Sequence, residues 1–497
     1  MLYQSTRQSD KKIAASQAIV QGLAEDGGLY VPESFPTLTR DDIENLSKNM
    51  TYDRRAAYIM GLFLSEYDKQ ELGSFTGEAY NEPNFDDSSI APLHKINDNT
   101  FFLELWHGPT SAFKDMALQV LPRLLTAGLR KINENRDICI LVATSGDTGK
   151  AALEGFCDIP GTKIMVFYPN DGVSEVQKLQ MVSQRGANVN VVAVEGNFDD
   201  AQNGVKAIFS DADFNKKLAE KGVLLSSANS INWGRLVPQI VYYISSYCDL
   251  ISSGEITNGD KVNFCVPTGN FGNILSAYYA SKMGLPINKL ICASNRNDVL
   301  TQFLNTGVYD KNRPFYTTAS PSMDILVSSN LERLLYELSG RDGNAVSEYM
   351  RALADKGVYE VPENIMKEAE SLFYGGFCNE EDTMKNIAET FEKYDYLIDT
   401  HTAVGNKVLV DYRTETSDKT PTVVVSTASP YKFCDSVLSA LGKPVNCDGV
   451  ELIDELSSAT NTAIPAPLAE LRNSKSRFSE VVSKADMKTS VMKFLGV

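Results

Sequence analysis

Six short β-branched runs limit what this chain can fold into: ICILVAT from Ile138, KIMVFYP from Lys163, NVNVVAV from Asn188, VNFCVPT from Val262, KLICASN from Lys289 and TVVVSTA from Thr422. Each reads as a buried strand. Between them lie amphipathic stretches of helical length and spacing, TGKAALEGF and VSEVQKLQMVSQRG among them, which end near Gly or Pro. Strands alternating with helices predict an α/β fold with mostly parallel sheets. Ligands of such folds bind beyond the carboxyl ends of the strands. At 497 residues the chain exceeds what one hydrophobic core organises, so at least two lobes with a site between them are expected.

The flanking regions read differently. Residues 1–92 combine helical segments with turn clusters such as EDGGLY and PESFPTLTRDD, which predicts an N-terminal domain. Residues 93–320 hold most of the strand runs, as a two-lobed α/β core. Residues 321–400, with SSNLERLLYELSG and IMKEAESLF, predict a helical elaboration, and 401–497 complete the core. The balance of 43% hydrophobic and 22% charged residues is that of ordinary globular domains, so disordered, fibrous and solenoid readings drop out.

Charge narrows the partners. Against 64 acidic side chains stand 47 basic ones, a net charge of −17, and no Lys/Arg block interrupts the balance. Nucleic acid is therefore not an expected partner. An anionic ligand would meet a repulsive overall field, so a phosphate site needs backbone amides and one or two well-placed cations. Eight cysteines without a CxxC pair predict buried free thiols in a reducing compartment. The N-terminus carries no apolar signal core and no uncharged stretch reaches membrane-span length, so the expected location is cytoplasmic. Three histidines, none in an HxxxH or HExxH pattern, give a catalytic metal site no basis.

Five segments carry chemistry. In LWHGPTSAFKDMALQ, residues 105–119, a turn leads into a helix with Lys114 in its first turn, between Phe113 and Met116. The positive end of the helix dipole and the apolar flanks both favour the free amine that a Schiff base requires. A solvated lysine is the bland alternative. VPTGNFGNILSAYYA follows a strand with Gly269, Asn270, Phe271, Gly272 and Asn273 and then a helix, a turn that can aim several N–H groups at one anion or merely close a βα connection. It is neither a GK[ST] P-loop nor a GxGxxG turn. ILVATSGDTGKAALEGF crowds Thr144, Ser145, Asp147 and Thr148 at a helix start, suited to a carboxylate or to simple capping. ANSINWGRLVPQIVYY places Asn232 and Arg235 before an apolar helix, where Arg235 could grip a phosphate or form a surface salt bridge. VVVSTASPYKF puts Ser426 and Thr427 just past a strand, to bond a ring nitrogen or to make a Ser/Thr turn. Together, a Schiff-base lysine, a phosphate cup, a carboxylate loop and a ring partner describe a pyridoxal 5'-phosphate site.

The same segments resemble one family. STRQSDKKIAASQAIVQGLAEDGGLYVPESFP, HGPTSAFKDMALQ, ATSGDTGKAA, YPNDGVSEVQKLQM, NSINWGR, PTGNFGN, SPSMDILVSSNLERLLYEL, DTHTAVG and STASPYKF resemble, in order, segments of the threonine synthases, fold type II enzymes of the tryptophan synthase β-like class, in their longer, yeast- and enterobacterial-like branch. Ser429 departs from the histidine more usual there. The resemblance implies Lys114 as the cofactor's lysine, Gly269 to Asn273 around its phosphate and Thr427 on the pyridine nitrogen. It further implies the Thr144 to Thr148 loop for the substrate carboxylate and Asn232 with Arg235 for the substrate phosphate. His107 and His401 receive no catalytic role. The implied reaction turns O-phospho-L-homoserine and water into L-threonine and phosphate, in a monomer or homodimer. A phosphate-lyase on the same substrate, another fold type II dehydratase or sulfhydrylase, and a non-catalytic homologue are the rival readings.

Overall fold

The computed structural model describes residues 1–7, 11–144, 146–170 and 173–497. Two sheets form its frame. The larger runs in the order Phe373–Phe377, Ile287–Ser294, Val262–Pro267, Thr422–Ser426, Thr100–Glu104, Leu93–Asn97. Its pairings are parallel except at the edge, where Leu93–Asn97 lies antiparallel to Thr100–Glu104. The smaller is parallel throughout: Val481–Val482, Val189–Val194, Thr162–Pro169, Asp137–Ala143, Val223–Ser226. All six runs expected to be strands are strands. Val262–Pro267 and Thr422–Ser426 are buried at every residue, which is why they carry no alternation of polar and apolar positions.

Helix Trp233–Ser252 passes between the sheets and the N-terminal region, buried on nearly every face through Trp233, Leu236, Val237, Ile240, Val241 and Ile244. An all-round apolar helix is stable only in such a position. Ahead of it, helices Arg40–Asn49 and Tyr52–Phe63 pack on its flank, the first closed by a capping box between Thr39 and Asp42.

Several strands lay beyond the sequence pattern, among them Leu93–Asn97, Thr100–Glu104, Val223–Ser226 and the antiparallel pair Val308–Asp310 and Val358–Glu360. The N-terminal region contains a three-stranded antiparallel sheet, Ile13–Ala14, Leu2–Ser5, Tyr30–Pro32, whose strands of two to four residues are too short to show a period. Within 321–400 the expected helices Leu331–Leu338, Gly343–Lys356, Glu363–Leu372 and Glu380–Tyr394 form, but Phe373–Phe377 joins the edge of the large sheet. Its FYGGF sequence disguises it. A Cβ at Gly375 would sit 3.0 Å from Leu304 Cβ, and one at Gly376 2.6 Å from Val408 Cγ1, so helices press on both faces and leave room only for glycine.

Candidate active site

The five segments singled out in the sequence follow the strands Thr100–Glu104, Asp137–Ala143, Val223–Ser226, Val262–Pro267 and Thr422–Ser426, and contacts of Lys114, Asp147, Ser322 and Lys432 draw them together. Lys114 caps the short helix Asp115–Leu118 and is buried. Its Nζ lies 3.5 Å from both Asp147 Oδ2 and Ser322 Oγ, and 4.6 Å from the centre of the Phe113 ring. Burial pushes the Lys114 ammonium down; the Asp147 carboxylate opposes this, while the Lys432 and Arg235 cations add to it.

Thr427 is held against this lysine by backbone. Phe113 N donates to Thr427 O at 2.8 Å, Ser429 N to Ser111 O at 3.1 Å, and Ala112 bridges Ala428. Ser429 itself caps the following turn by accepting from Tyr431 N. The neighbouring Ser426 hydroxyl is already engaged by Trp106 Nε1 and Thr402 Oγ1, each at 3.1 Å. Among the described residues the Thr427 hydroxyl has no such partner, which leaves Thr427 rather than Ser426 available to a ring.

The Gly269–Asn273 turn has the form of an anion cradle. Phe271 adopts a left-handed conformation (φ 62°) just before helix Gly272–Lys282. Among the described residues the N–H groups of Asn270, Phe271, Gly272 and Asn273 donate to no protein acceptor. Successive free N–H groups at a helix start are a phosphate-binding arrangement. Gly269 allows a close approach: a Cβ there would lie 2.7 Å from Ser322 O. Tyr242 and Tyr243 both donate to Asn273 Oδ1, at 2.6 and 2.5 Å, which fixes the amide and leaves its buried Nδ2 without a partner.

Asp147 opens helix Asp147–Phe156. Lys432 Nζ reaches its Oδ1 at 2.7 Å and Gln177 Nε2 donates to the same oxygen at 2.8 Å. Burial alone would push this carboxyl up; the two lysine cations and these hydrogen bonds outweigh it and hold it well below the usual range. Thr144 Oγ1 accepts from Gly146 N and Gly149 N at 3.0 and 2.9 Å, which ties the loop to the helix start. Thr148 is half-buried. Ser145 lies outside the described residues.

Arg235 and Asn232 differ in how far the fold engages them. Arg235 is 3% exposed, so it makes no surface salt bridge. Nη1 donates to Ala228 O at 2.9 Å, while Nε has no partner. Burial pushes its guanidinium down to about 10, and only Tyr242 opposes this. A buried cation without a carboxylate is poised for an anion. Asn232, by contrast, caps its helix through Oδ1 to Gly234 N at 2.8 Å and donates through Nδ2 to Ile19 O at 2.9 Å. Its Oδ1 and one Nδ2 hydrogen are thereby engaged within the fold, and the second Nδ2 hydrogen is the group left for the phosphate contact expected from the sequence. Beside it, the buried Arg333 donates to Tyr30 O at 3.0 Å, to Ile231 O at 2.7 Å and to Asn330 Oδ1.

Several groups near the site escaped the sequence reading. Lys432, Gln177 and Ser322 all stand inside quoted motifs, but nothing local distinguishes a buried lysine, glutamine or serine from an exposed one. His401 is one of them in effect. Its Nδ1 meets Asp399 Oδ2 at 2.7 Å, and its Nε2 accepts from Ser322 N at 3.2 Å. The imidazole therefore anchors the turn that brings Ser322 to Lys114. His107 sits apart, between Asp86 at 2.5 Å and Glu104 at 2.7 Å. Among the described residues no cluster of His, Cys, Asp or Glu could hold a metal ion, and no helix is long and apolar enough to cross a membrane.

A lysine with a suppressed charge, an unpaired amide cradle and a free hydroxyl fit a phosphorylated aldehyde-bearing pyridine, and the comparisons agree. Residues 2–80 match the family model "Threonine synthase N terminus", residues 88–428 "Pyridoxal-phosphate dependent enzyme", and residues 402–492 "Threonine synthase, C-terminal". Threonine synthase of Pseudomonas aeruginosa is 41% identical, over 88% of this chain and 90% of its own. Human threonine synthase-like 1 is 42% identical over 87% of this chain, which spans only 59% of that protein's length. Among solved structures, PLP-bound threonine synthase from Brucella melitensis superposes with a TM-score of 0.88 at 38% identity, covering 99% of both chains. Yeast threonine synthase gives 0.89 at 34% identity, covering 100% of this chain and 99% of its own. With family models spanning nearly its whole length and a fold shared with these enzymes, the chain belongs to the threonine synthase family of pyridoxal-phosphate-dependent enzymes.

Proposed function

We propose that the protein converts O-phospho-L-homoserine and water into L-threonine and phosphate. The observation that carries this reading is Arg235, a buried guanidinium with no carboxylate partner among the described residues, in addition to the amide cradle at Gly269–Asn273. The cofactor has one phosphate; a second anion site calls for a substrate with another. The threonine synthases of similar sequence and fold support the same reaction.

In this reading Lys114 would hold pyridoxal 5'-phosphate, with the N–H groups of Gly269 to Asn273 and Asn273 Nδ2 for its phosphate and the Thr427 hydroxyl for its ring nitrogen. When bound, the cofactor supplies an electron sink for the substrate carbon. Lys114 would serve as the base that takes the Cα proton and then a Cβ proton, and burial, which pushes its ammonium down, suits it to both. Arg235, with Asn232 beside it, would grip the phosphate that leaves Cγ; Cγ then takes up a proton, and water adds across Cα and Cβ, its hydroxyl to Cβ and a proton to Cα. The loop of Thr144, Asp147 and Thr148 would orient the substrate carboxylate through the threonine hydroxyls and backbone N–H groups at the helix start, Asp147 contributing its N–H and not its ionised side chain. Ser145 completes that loop in the sequence. The reading retains the division into 1–92, 93–320, 321–400 and 401–497, a monomer or homodimer, and a cytoplasmic location, supported by eight unpaired thiols.

Product analysis tests it. Incubation with O-phosphohomoserine gives threonine and phosphate in equal amounts; a keto acid in place of threonine would make the protein a phosphate-lyase.

A further inference from the structure

Lys432 takes no part in the reaction as drawn, yet its side chain is wholly shielded from solvent. Burying an ammonium group is costly unless it is paired and hydrogen-bonded. This one is both: Nζ lies 2.7 Å from Asp147 Oδ1 and donates to Thr110 O at 2.8 Å. The three segments it joins are those that build the site. Thr110 stands in the turn before Lys114, Asp147 opens helix Asp147–Phe156, and Lys432 closes the turn Pro430–Lys432 that follows Thr427.

Asp147 is thus shared unequally between two lysines, 2.7 Å from Lys432 and 3.5 Å from Lys114. Coulomb attraction grows as distance and local dielectric fall, so the shorter pair dominates. Without Lys432 the buried carboxylate would turn to Lys114, and a lysine locked in an ion pair keeps its proton and is neither nucleophile nor base. Among the described residues the charged groups around Lys114 are Asp147, Lys432 and Arg235, and Ser322 Oγ and the Phe113 ring also lie beside it. Lys432 also faces Asp115, whose carboxyl accepts from Thr110 N and Oγ1 and is further influenced by Glu154.

We propose that Lys432 is a positioning residue for Lys114: by engaging Asp147 at short range it keeps that carboxylate from capturing Lys114, and so leaves a neutral amine to bond the cofactor. This rests on Lys114 as the cofactor's lysine and not on which phosphate ester is turned over. The test reads the amine itself. Full-length protein stripped of cofactor is treated with trace acetic anhydride across a pH series, and acetylation of Lys114 is quantified by peptide mass spectrometry. In Lys432→Gln, which keeps a donor but loses the charge, the labelling midpoint moves to higher pH, and labelling at a fixed pH below it drops about tenfold or more. Lys432→Arg restores the midpoint, and pyridoxal phosphate uptake followed by absorbance weakens in the Gln variant alone. Lys432→Met, close in volume, serves if the Gln variant does not fold. An unchanged midpoint in a folded variant overturns the proposal, as does an equal rise in Lys432→Arg, which would implicate shape and not charge. Because no substrate is present, neither result depends on the product assay.

Discussion

Replacing Arg235 with Met separates binding from folding. Burial brings its guanidinium from its ordinary value down to about 10. A base whose folded value lies below its unfolded one opposes folding at every pH under the folded value, so at neutral pH the cost is present in full. At about 1.4 kcal/mol per tenfold in proton affinity, that cost is about 3 kcal/mol. The hydrogen bond to Ala228 O offsets about 1 kcal/mol of it, and a methionine keeps most of the stem's packing. Arg235→Met therefore stabilises the cofactor-free chain by about 1–2 kcal/mol in urea unfolding. The same change lowers kcat/KM for O-phosphohomoserine by about tenfold to hundredfold, the worth of one charge-assisted hydrogen bond. Inorganic phosphate raises the unfolding midpoint of the parent more than that of the variant, which keeps only the Gly269–Asn273 cradle. A variant that is less stable yet fully active would refute the reasoning and make Arg235 a strut.

Other expectations are simpler to state. Borohydride reduction of the holoenzyme places a pyridoxyl group on the Lys114 peptide, and Lys114→Ala abolishes it; label on another lysine removes the assignment. Thr427→Asp raises the protonated fraction of the ring nitrogen and slows threonine formation, whereas Thr427→Ser is mild because a donor survives. Nitrogen NMR on labelled cofactor reads this, and full activity in Thr427→Val would count against it. For His107, burial pushes the imidazole down, but Asp86 and Glu104 outweigh it and lift the group from 6.5 to about 9. A raised base stabilises the fold fully below about pH 6.5 and loses that contribution as pH rises through 9. Urea midpoints therefore fall over that window in the parent and stay flatter in His107→Gln; parallel curves would discard the idea.

The sequence exposes what burial on both faces imposes on contiguous residues. ICILVAT and VNFCVPT could be read as core strands because neither face meets water. FYGGF could not, since its strand pairing is licensed by helices from residues far away in the chain. In the site, types were legible and depths were not. Lys114 and Arg235 stood out through their motifs, but the absence of a carboxylate beside Arg235 is a property of the fold. Nor does the sequence tell that the fold commits Asn232 Oδ1 to Gly234 and one of its amide hydrogens to Ile19. Lys432 and His401 act through neighbours distant in sequence, Asp147 and Ser322, and no local pattern encodes such pairs.

The bonds from Asn232 to Ile19 O and from Arg333 to Tyr30 O and Ile231 O bear on recombination. They make the first thirty or so residues, the 228–235 loop and the 330–333 turn a single heritable unit scattered along the gene. A chimera that exchanges only the N-terminal stretch with a relative would present two buried side chains with displaced carbonyls, at a cost of about 1–3 kcal/mol for each unsatisfied group. Crossovers that carry all three segments from one parent should survive; those that split them should express poorly even where each parent is robust.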